Sequence, residues 1–599
     1  MDTLEGGLIK LGSNALEEIL CKASALGLWS GRTPDAVDPW SLEFPSLSSL
    51  PRLDGEAARL RICIATEDIV GPVRNGGIGT TYSALAELLA GLGHDVTILY
   101  LKGHEVENGT IDEWIDFYAE KSVRFVPVPN YAIIDRFQTG PNRWLQAPYN
   151  MLKYLADHPM DVVHVSEWRG SGYLCLLAKR QNLAFRNTLF IVKTSSPWIW
   201  NRLYGSQPID RIDDLAKVHA ERLSVEYADM VVGGSLHLLR WMASQGYRIP
   251  REHTFVQPNV ATFDHLGDLL KHRQREPGKR HPIDEIVFFG RLEARKGLLL
   301  FVQAIKRLMR QGKQLPRRIT FMGKPGARLT ARPDQDIVNY IKAESANWPT
   351  EVSILTEFQQ YEALKYLLSG NRLAVMPSMI ENSSLAVYEA AICGIPFIAS
   401  TSGGTPELVA PADRATVLCE AHPIPLAAHI AVALEQGGYV ASPSFDNEVN
   451  LDQWRRFHLD LGRGLIDTLL KRDHQEVAPP GRVSICIYHA DTDEKLRTTL
   501  LSVKDQDLAA EEILIAVDTD GADGVDSARA IALEVGVTVR VVPTFDFDGT
   551  AARRGRSSPA TAASVAARTS SGTTGRSTSA WRRPCCRASR RTRRRSVRC

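Results

Sequence analysis

Short apolar runs alternate along the chain with stretches of helical period. In the first half, Arg61–Ala65, Val96–Leu101, Val162–Val165, Leu189–Lys193 and Met230–Gly233 read as strands. In the second half, Glu285–Phe289, Arg318–Gly323, Leu373–Met376 and Ile395–Ala399 do the same. Between them, Leu85, Leu88, Leu89 and Leu92 recur at i, i+3, i+4 and i+7, the spacing of one buried helix face. Leu298, Phe301, Ile305 and Leu308 form a second such stripe, and Asp213–Tyr227 reads as a further helix. Near-continuous apolar strands separated by helices predict an α/β fold with parallel sheets. Leu451–Leu470 is a long amphipathic helix marked by Trp454, Phe457, Leu461, Leu465 and Leu469. A last series follows Pro479-Pro480-Gly481: strand Val483–Tyr488, helix Asp493–Gln506, strand Glu512–Asp518 and strand Val537–Val542. Residues 1–57 read as an appendage, with a helix over Ser13–Leu26, capped by Ser13 and stopped by Gly27, and a linker at Pro45–Pro51.

A chain of 599 residues is too long for one core, and 44% hydrophobic with 23% charged residues is a globular composition. No run of eighteen apolar residues marks a membrane span, which leaves peripheral association with a membrane open. Asp2 and Glu5 are unlike a secretory start, and nine scattered cysteines lack metal-ligand spacing, so a reduced, cytoplasmic setting is expected. The net charge of +2 hides an asymmetry, because residues 551–599 hold 14 arginines and no Asp, Glu or Lys. Without those 14 the remaining 550 residues stand at −12, which argues against generic nucleic-acid binding.

The chemistry concentrates in Met379–Val409. Glu381 and Glu389 bracket a short helix expected to start near Asn382–Ser384, residue types that cap helix N-termini. Gly394 and Pro396 stop it, and Gly403-Gly404 makes a tight loop beyond the next strand. A helix N-terminus beside two carboxylates suits a phosphorylated sugar, phosphate at the helix end and hydroxyls on the carboxylates. Upstream, Arg291 and Lys296 follow a strand, where open α/β sheets bind ligands, and supply a planar donor fork and a compact charge for a diphosphate. Gly76-Gly77-Ile78-Gly79 opens a helix and brings backbone N–H groups within reach of a phosphate, or serves close packing alone. Ser195–Trp200 reads as a loop whose Trp198 and Trp200 either stack on an acceptor or pack in a core.

Glu381, seven residues, Glu389-Ala390-Ala391, then Gly-x-Pro and Gly-Gly-x-x-Glu resembles the donor-site signature of retaining glycosyltransferases of family 4. Gly290-Arg291 followed by Lys296-Gly297 and the turn at Gly76–Gly79 are similar to two further marks of that superfamily, which includes the glycogen synthases. The resemblance implies two Rossmann-like domains facing each other (GT-B): residues 58–270 on the acceptor side and 271–474 on the donor side, with helix 451–470 crossing back. It implies a UDP-, GDP- or ADP-sugar donor, a glycan or lipid-linked acceptor, retention at the anomeric carbon, and neither metal nor cofactor. It assigns ribose hydroxyls to Glu389 and a donor-sugar hydroxyl to Glu381. Gly76, Gly77, Asn382, Ser383, Ser384, Leu385, Gly403 and Gly404 surround the donor, with Phe358 near the base. Thr194-Ser195-Ser196 stands where family members often carry a histidine, and Ser166-Glu167-Trp168 where glycogen synthases show His-Asp-Trp. Both departures argue against a glycogen synthase proper and leave Glu167, Trp198 and Trp200 as the acceptor-side candidates.

Residues 479–550 resemble the nucleotide-binding half of a family 2 glycosyltransferase of the GT-A fold, with Asp518 and Asp520 as the implied nucleoside contacts. Such domains need a later Asp-x-Asp for a divalent cation, and no carboxylate side chain follows Asp548. The tail's restricted alphabet is that of a GC-rich gene read out of frame, so we expect a frameshift near Arg553–Arg556 and a disordered segment after it. A glycoside hydrolase with paired carboxylates is one rival reading, though it would need neither Arg291, Lys296 nor a helix-end anion site; a non-catalytic nucleotide-sugar scaffold is the other.

Overall fold

The computed structural model describes residues 38–543 apart from 74–75, 132–142, 264–265, 268–269, 272–274, 327–328, 330–334, 472–483, 490–491, 507–509, 511 and 518–521. The expected helix at Ser13–Leu26, the acidic pair Asp518 and Asp520, and the arginine-rich tail lie outside the described residues. The chain divides into two compact units, Met1–Asp473 and His474–Cys599.

The first unit holds two parallel sheets. Strands β1 (Arg61–Thr66), β2 (Asp95–Tyr100), β3 (Val123–Pro127), β4 (Val162–Ser166), β5 (Leu189–Thr194), β6 (Met230–Gly233) and β7 (Thr254–Val256) lie in the order β3-β2-β1-β4-β5-β6-β7. Then come β8 (Arg280–His281), β9 (Glu285–Phe289), β10 (Arg318–Met322), β11 (Glu351–Leu355), β12 (Arg372–Met376), β13 (Phe397–Ser400), β14 (Leu418–Cys419) and β15 (Gly438–Tyr439). The second sheet runs β11-β10-β9-β12-β13-β14, and β8 pairs antiparallel with β15 beside it. Counted from its own first strand, each sheet has the order 3-2-1-4-5-6, the doubly wound Rossmann arrangement, and the first sheet adds β7 as a seventh strand beside β6. Two Rossmann-like domains facing each other, as the resemblance implies, are therefore present. The order reverses between β1 and β4 and between β9 and β12, and each reversal opens a crevice at the carboxyl ends of the strands.

The predicted strands of the first unit stand within a residue or two of their observed limits, because strands buried on both faces must be apolar throughout. Ile62, Ile64, Val162, Ile191, Ile286, Phe288 and Leu373 are all fully buried. The stripe of Leu298, Phe301, Ile305 and Leu308 is buried against the second sheet on helix Leu298–Arg310. Three expectations change. Ser195–Trp200 is not all loop, since Trp198–Tyr204 is a helix packed on the neighbouring helix Ile212–Glu226. Helix 451–470 is broken: Asn447–Asp460 gives way to a wider turn at Leu461–Leu465 before Ile466–Lys471. Gly464 there has φ +109, and a Cβ on Gly462 would stand 2.6 Å from the Ala58 carbonyl oxygen, so the break lets the entering chain lie against the helix. Third, β3, β7, β8, β11, β14 and β15 are strands that the sequence pattern does not predict. Leu451, Trp454, Phe457, Leu461, Leu465 and Leu469 lie in the core of the first domain beside Ile62 and Leu85.

The second unit contains β16 (Ser484–His489), β17 (Glu512–Val517) and β18 (Arg540–Pro543), parallel and adjacent in that order, with helices Asp493–Lys504 and Ala522–Val535. Ile515, Val517, Leu496 and Ile531 form its small core.

Candidate active site

The reversal between β9 and β12 builds the donor-side wall. After β9 the chain passes Gly290 and Arg291 into a short turn, Ala294–Lys296, closed by Gly297. Gly297 has φ +78, and a Cβ there would sit 1.8 Å from the Pro377 carbonyl oxygen beyond β12. Only glycine combines that left-handed backbone with that approach. The Met379 N–H donates to the Arg295 carbonyl (2.8 Å), so the two post-strand loops are locked together. Lys296 Nζ consequently donates to Glu381 Oε1 at 2.5 Å, and Ser378 Oγ donates to the same oxygen at 2.6 Å. Burial on its own would raise the Glu381 carboxyl, but Lys296 and Arg295 outweigh it and hold the group below its ordinary value. Burial lowers Lys296 from its ordinary value, with Glu381 opposing. The result is a desolvated, hydrogen-bonded ion pair at the head of the sheet. Arg291 is exposed at the cleft and, among the described residues, has no hydrogen-bonded or ion-paired partner.

Behind Glu381 stands the double-glycine loop. Gly403 pairs with Glu381 in an isolated parallel bridge, and Gly404 N–H donates to the Glu381 carbonyl at 2.8 Å. A Cβ on Gly403 would meet that carbonyl oxygen at 2.0 Å, and one on Gly404 would meet the Asn382 oxygen at 2.0 Å. These glycines support the backbone of the site from behind.

The helix observed after Glu381 is Leu385–Ile392. Its N-cap, Ser384, makes no side-chain cap bond, contrary to the expectation from residue type, and its first turn lines the cleft with Ser383, Ser384 and Leu385. Glu389 lies one turn further on, 6% exposed, and accepts a 2.5 Å bond from Gln360 Nε2. Burial raises its carboxyl to about 7, against the lowering effect of Gln360. Phe358 is partly exposed at the same end of the cleft, edge-on to Tyr366.

The wall opposite comes from the first sheet. Gly76 caps helix Gly77–Gly91 and stands across from Arg291, whose Nη2 would be 3.6 Å from a Cβ on Gly76; a Cβ on Gly77 would be 3.5 Å from Leu385. The intervening cleft measures about 420 Å³, within the range of small-molecule sites. It brings together Gly76, Gly77, Arg291, Lys296, Phe358, Glu381, Asn382, Ser383, Ser384, Leu385 and Glu389, residues separated by more than three hundred positions in the chain. Asn382 also joins the two walls. Its Oδ1 accepts from Ser235 Oγ (2.7 Å), and its Nδ2 donates to the Ser195 carbonyl (2.7 Å). The one side-chain amide thereby bridges the domains.

The acceptor-side candidates fare differently. Trp200 is fully buried, edge-on to Trp241 at 4.7 Å, and cannot stack on a ligand. Trp198 Nε1 donates to Asp214 Oδ1 (2.7 Å) and the ring lies under Lys217 and Arg202, away from the cleft. Glu167 is fully buried and accepts from Ser195 N (2.8 Å) and Ser166 Oγ (2.9 Å), clamping the ends of β4 and β5 together. In their place the cleft holds Lys193, Thr194, Ser195 and Asn259. Sequence reasoning also missed Ser378, Gln360 and Glu407. The last accepts from the N–H groups of Leu236 and His237 (2.9 Å each), capping a helix of the other domain. Its place in Gly-Gly-x-x-Glu was the available signal.

Residues 76–259 match the family model described as Glycosyl transferase 4-like domain, and residues 272–443 match that described as Glycosyl transferases group 1. The two matches fall on the two walls of the cleft. Among curated proteins the chain is 26% identical over 276 residues to D-inositol 3-phosphate glycosyltransferase 1 of Catenulispora acidiphila, covering 45% of this chain and 62% of that protein. It is 31% identical over 119 residues to D-inositol 3-phosphate glycosyltransferase of Rhodococcus erythropolis, covering 20% of this chain and 26% of that protein. The chain thus spans less than two thirds of either relative. Among solved structures, sucrose-phosphate synthase from Thermosynechococcus elongatus aligns with 69% of this chain and 95% of its own, at 19% identity and a TM-score of 0.47. No helix among the described residues is long and apolar enough to cross a membrane.

Proposed function

We propose that the chain is a glycosyltransferase that moves a sugar from a nucleotide-diphosphate donor to an acceptor hydroxyl with retention of anomeric configuration. The observation that carries this reading is the convergence of Lys296, Glu381, Arg291 and an uncapped helix start on one crevice at the β9–β12 reversal. Cleaving the donor's anomeric C–O bond sends the electron pair to the diphosphate and leaves an oxocarbenium-like sugar. Groups fixed before the reaction and aimed at the growing negative charge lower that barrier most. Lys296 is such a group, since Gly297 and Glu381 fix its position. Arg291, with no other partner among the described residues, supplies the bidentate fork for the second phosphate. The first-turn N–H groups of helix Leu385–Ile392 add partial positive charge without a side-chain competitor.

Glu389 accepts the ribose hydroxyls and Phe358 lies beside the base. Glu381 takes a donor-sugar hydroxyl on the oxygen that Lys296 and Ser378 leave free. The acceptor hydroxyl attacks from the face the diphosphate vacates, its proton passing to the departing diphosphate oxygen, so the anomeric configuration is kept. No resident metal is needed in this scheme, because protein cations and backbone donors meet the diphosphate. The product joins glycan, polysaccharide or glycolipid biosynthesis. In the second unit, the β16–β18 module is read as a nucleotide-binding half.

Calorimetric titration of the full chain with UDP, GDP and ADP, followed by anomer-resolved NMR of the product from the donor that binds, tests the proposal. Binding of one nucleotide and a product of unchanged anomeric configuration is expected. Inversion would exclude retention, and failure to bind any nucleotide would exclude the donor site.

A further inference from the structure

The second unit repeats half of an arrangement that the first unit contains twice. Its sheet runs β18-β17-β16, all parallel, the 3-2-1 half of a doubly wound order. In each sheet of the first unit the opening strand lies between two neighbours, β1 between β2 and β4, and β9 between β10 and β12. β16 has β17 on one side and, among the described residues, no strand on the other. Its side chains carry the mark of that open edge. Helices Asp493–Lys504 and Ala522–Val535 cover one face of the sheet, where Ile513 and Ile515 of β17 are 8% and 0% exposed. Ile485 and Ile487, on the same face of β16, are only half-buried. Cys486, between them, points to the opposite face and is exposed.

An open strand edge presents a row of unpaired N–H and C=O groups, and proteins blunt such edges with charged residues, proline or bulges. The far edge of this sheet is blunted in that way, since β18 begins at Arg540 and ends at Pro543. β16 reads Ser-Ile-Cys-Ile-Tyr-His, with neither Lys, Arg, Asp, Glu nor Pro. The sequence beyond β18 is a poor source of a covering strand. After Phe547 it has no Leu, Ile, Met, Phe or Tyr, and its valines are Val565 and Val597 alone. The strand does fit itself. Two copies of β16 can pair antiparallel about a two-fold axis normal to the sheet and centred on Cys486. Ile485 then lies opposite Ile487 of the second copy on the helix-covered face, and Cys486 opposite Cys486 on the other. Centring the axis on Ile487 would set His489 against Ile485, so apolar matching selects the first register.

We propose that the open edge of β16 is a self-association surface, through which two copies of this chain join their second units into one continuous sheet, β18-β17-β16 of one running into β16-β17-β18 of the other. Backbone hydrogen bonds supply the affinity, as in strand addition generally, and the isoleucine pairs fix the register. A contact of one strand edge is small, so the dimer forms reversibly with concentration and is not obligate. It is independent of what the cleft of the first unit binds.

Sedimentation velocity of the full chain, kept reduced, over a wide range of concentration is the first test. A shift from one copy to two is expected as concentration rises. Hydrogen exchange at the two ends of that range should show the β16 amides slowing on association while those of β18 keep their rate. Cys486→Lys sets two ammonium groups opposite each other on the axis and should weaken dimerisation on the order of tenfold. Exchange of β17 should not change in that variant, because the replaced side chain is exposed. Cys486→Ser should leave the dimer intact. Directly opposed Cα atoms of an antiparallel pair lie about 4.5–5.5 Å apart, inside the span of a disulfide. Diamide, which takes up the two hydrogens of the opposed thiols, should therefore join Cys486 to Cys486 in the wild type, read by mass spectrometry as a linked peptide. Sedimentation as a single copy throughout, or protection of β16 that does not depend on concentration, overturns the proposal. A dimer that Cys486→Lys leaves unchanged, or that yields no Cys486–Cys486 peptide, overturns it too, since its contact lies elsewhere. Should the lysine variant fail to fold, the exchange and the linked peptide decide on the wild type alone.

Discussion

Both walls of the cleft rest on a parallel sheet that contains the strand order 3-2-1-4-5-6, yet they end in different electrostatic states. On the second-domain wall nearly every ionic group is answered: Lys296 by Glu381, Glu381 also by Ser378, and Glu389 by Gln360. On the first-domain wall Lys193 meets only an amide, and the buried hydroxyls of Thr81, Tyr82 and Thr194 have no hydrogen-bond partner among the described residues. In the proposed reading the second wall is preorganised for a diphosphate. The shared fold supplies the crevices, and the loop residues at the strand ends decide what each crevice binds.

The sharpest way to break this contrast is to remove its best-satisfied cation. Lys296→Ala takes away a fixed charge at the leaving diphosphate and leaves Glu381 buried without its counter-ion. We expect transfer to fall on the order of 10³-fold, the scale seen when a preorganised electrostatic donor is lost. Turnover within tenfold of wild type would exclude the role of Lys296. Gly297→Ala should follow. The added Cβ cannot occupy the 1.8 Å gap to the Pro377 oxygen at φ +78, so the Lys296 turn must shift. A stability loss of about 2 kcal/mol or more, with transfer reduced beyond the loss of folded protein, is expected from strain of that kind. An unchanged melting temperature would contradict the lock.

That glycine also shows where the sequence was readable. Gly-Arg-x4-Lys-Gly is local, so strand, turn and cation could be placed from the chain alone. The buried strands were equally plain, because a strand covered on both faces admits only apolar residues. What could not be seen was pairing across distance. Trp198 and Trp200 look like ligand-stacking residues until Trp241 and Asp214 are known to face them, more than ten residues away in each case. Lys193 was read as the last residue of a strand, since nothing local says that its ammonium points into a cleft and not to solvent. Ser384 has the composition of a cap and makes none, because capping depends on backbone geometry that composition does not fix.

A smaller effect separates the two ends of the satisfied wall. Glu389 is raised to about 7 by burial, whereas Lys296 and Arg295 keep Glu381 ionised. A carboxyl raised in the fold favours the protonated state, so its contribution to the empty protein's stability is fullest below the unfolded value of 4.5 and is lost as pH rises through about 7. Ribose hydroxyls need the ionised form as acceptor. Nucleotide affinity should therefore rise with pH, by up to about tenfold per unit below 7, and level off above it. Glu389→Gln should flatten the profile and weaken binding. A step that persists in the variant would assign the titration elsewhere.

The smallest expected change tests whether the walls act as a pair. Glu407 belongs to the second domain but accepts from Leu236 and His237 N–H, the first turn of helix Leu236–Ser244 in the first. Ser235, the N-cap of that helix, simultaneously donates to Asn382 in the donor loop. One helix start is thus held by two residues from across the cleft. Glu407→Ala removes one of them at a cost of about 1 kcal/mol, the ordinary scale of a lost cap. Because the cap exists only while the domains are together, the loss falls on the closed form, and the donor's apparent affinity should weaken a few-fold as closure becomes less favourable. Adding Asn382→Ala should deepen the loss by more than the sum of the single effects if both residues hold one closed state. Strict additivity, or a lowered melting temperature with unchanged nucleotide affinity, would mean that Glu407 stabilises its helix without coupling the two walls.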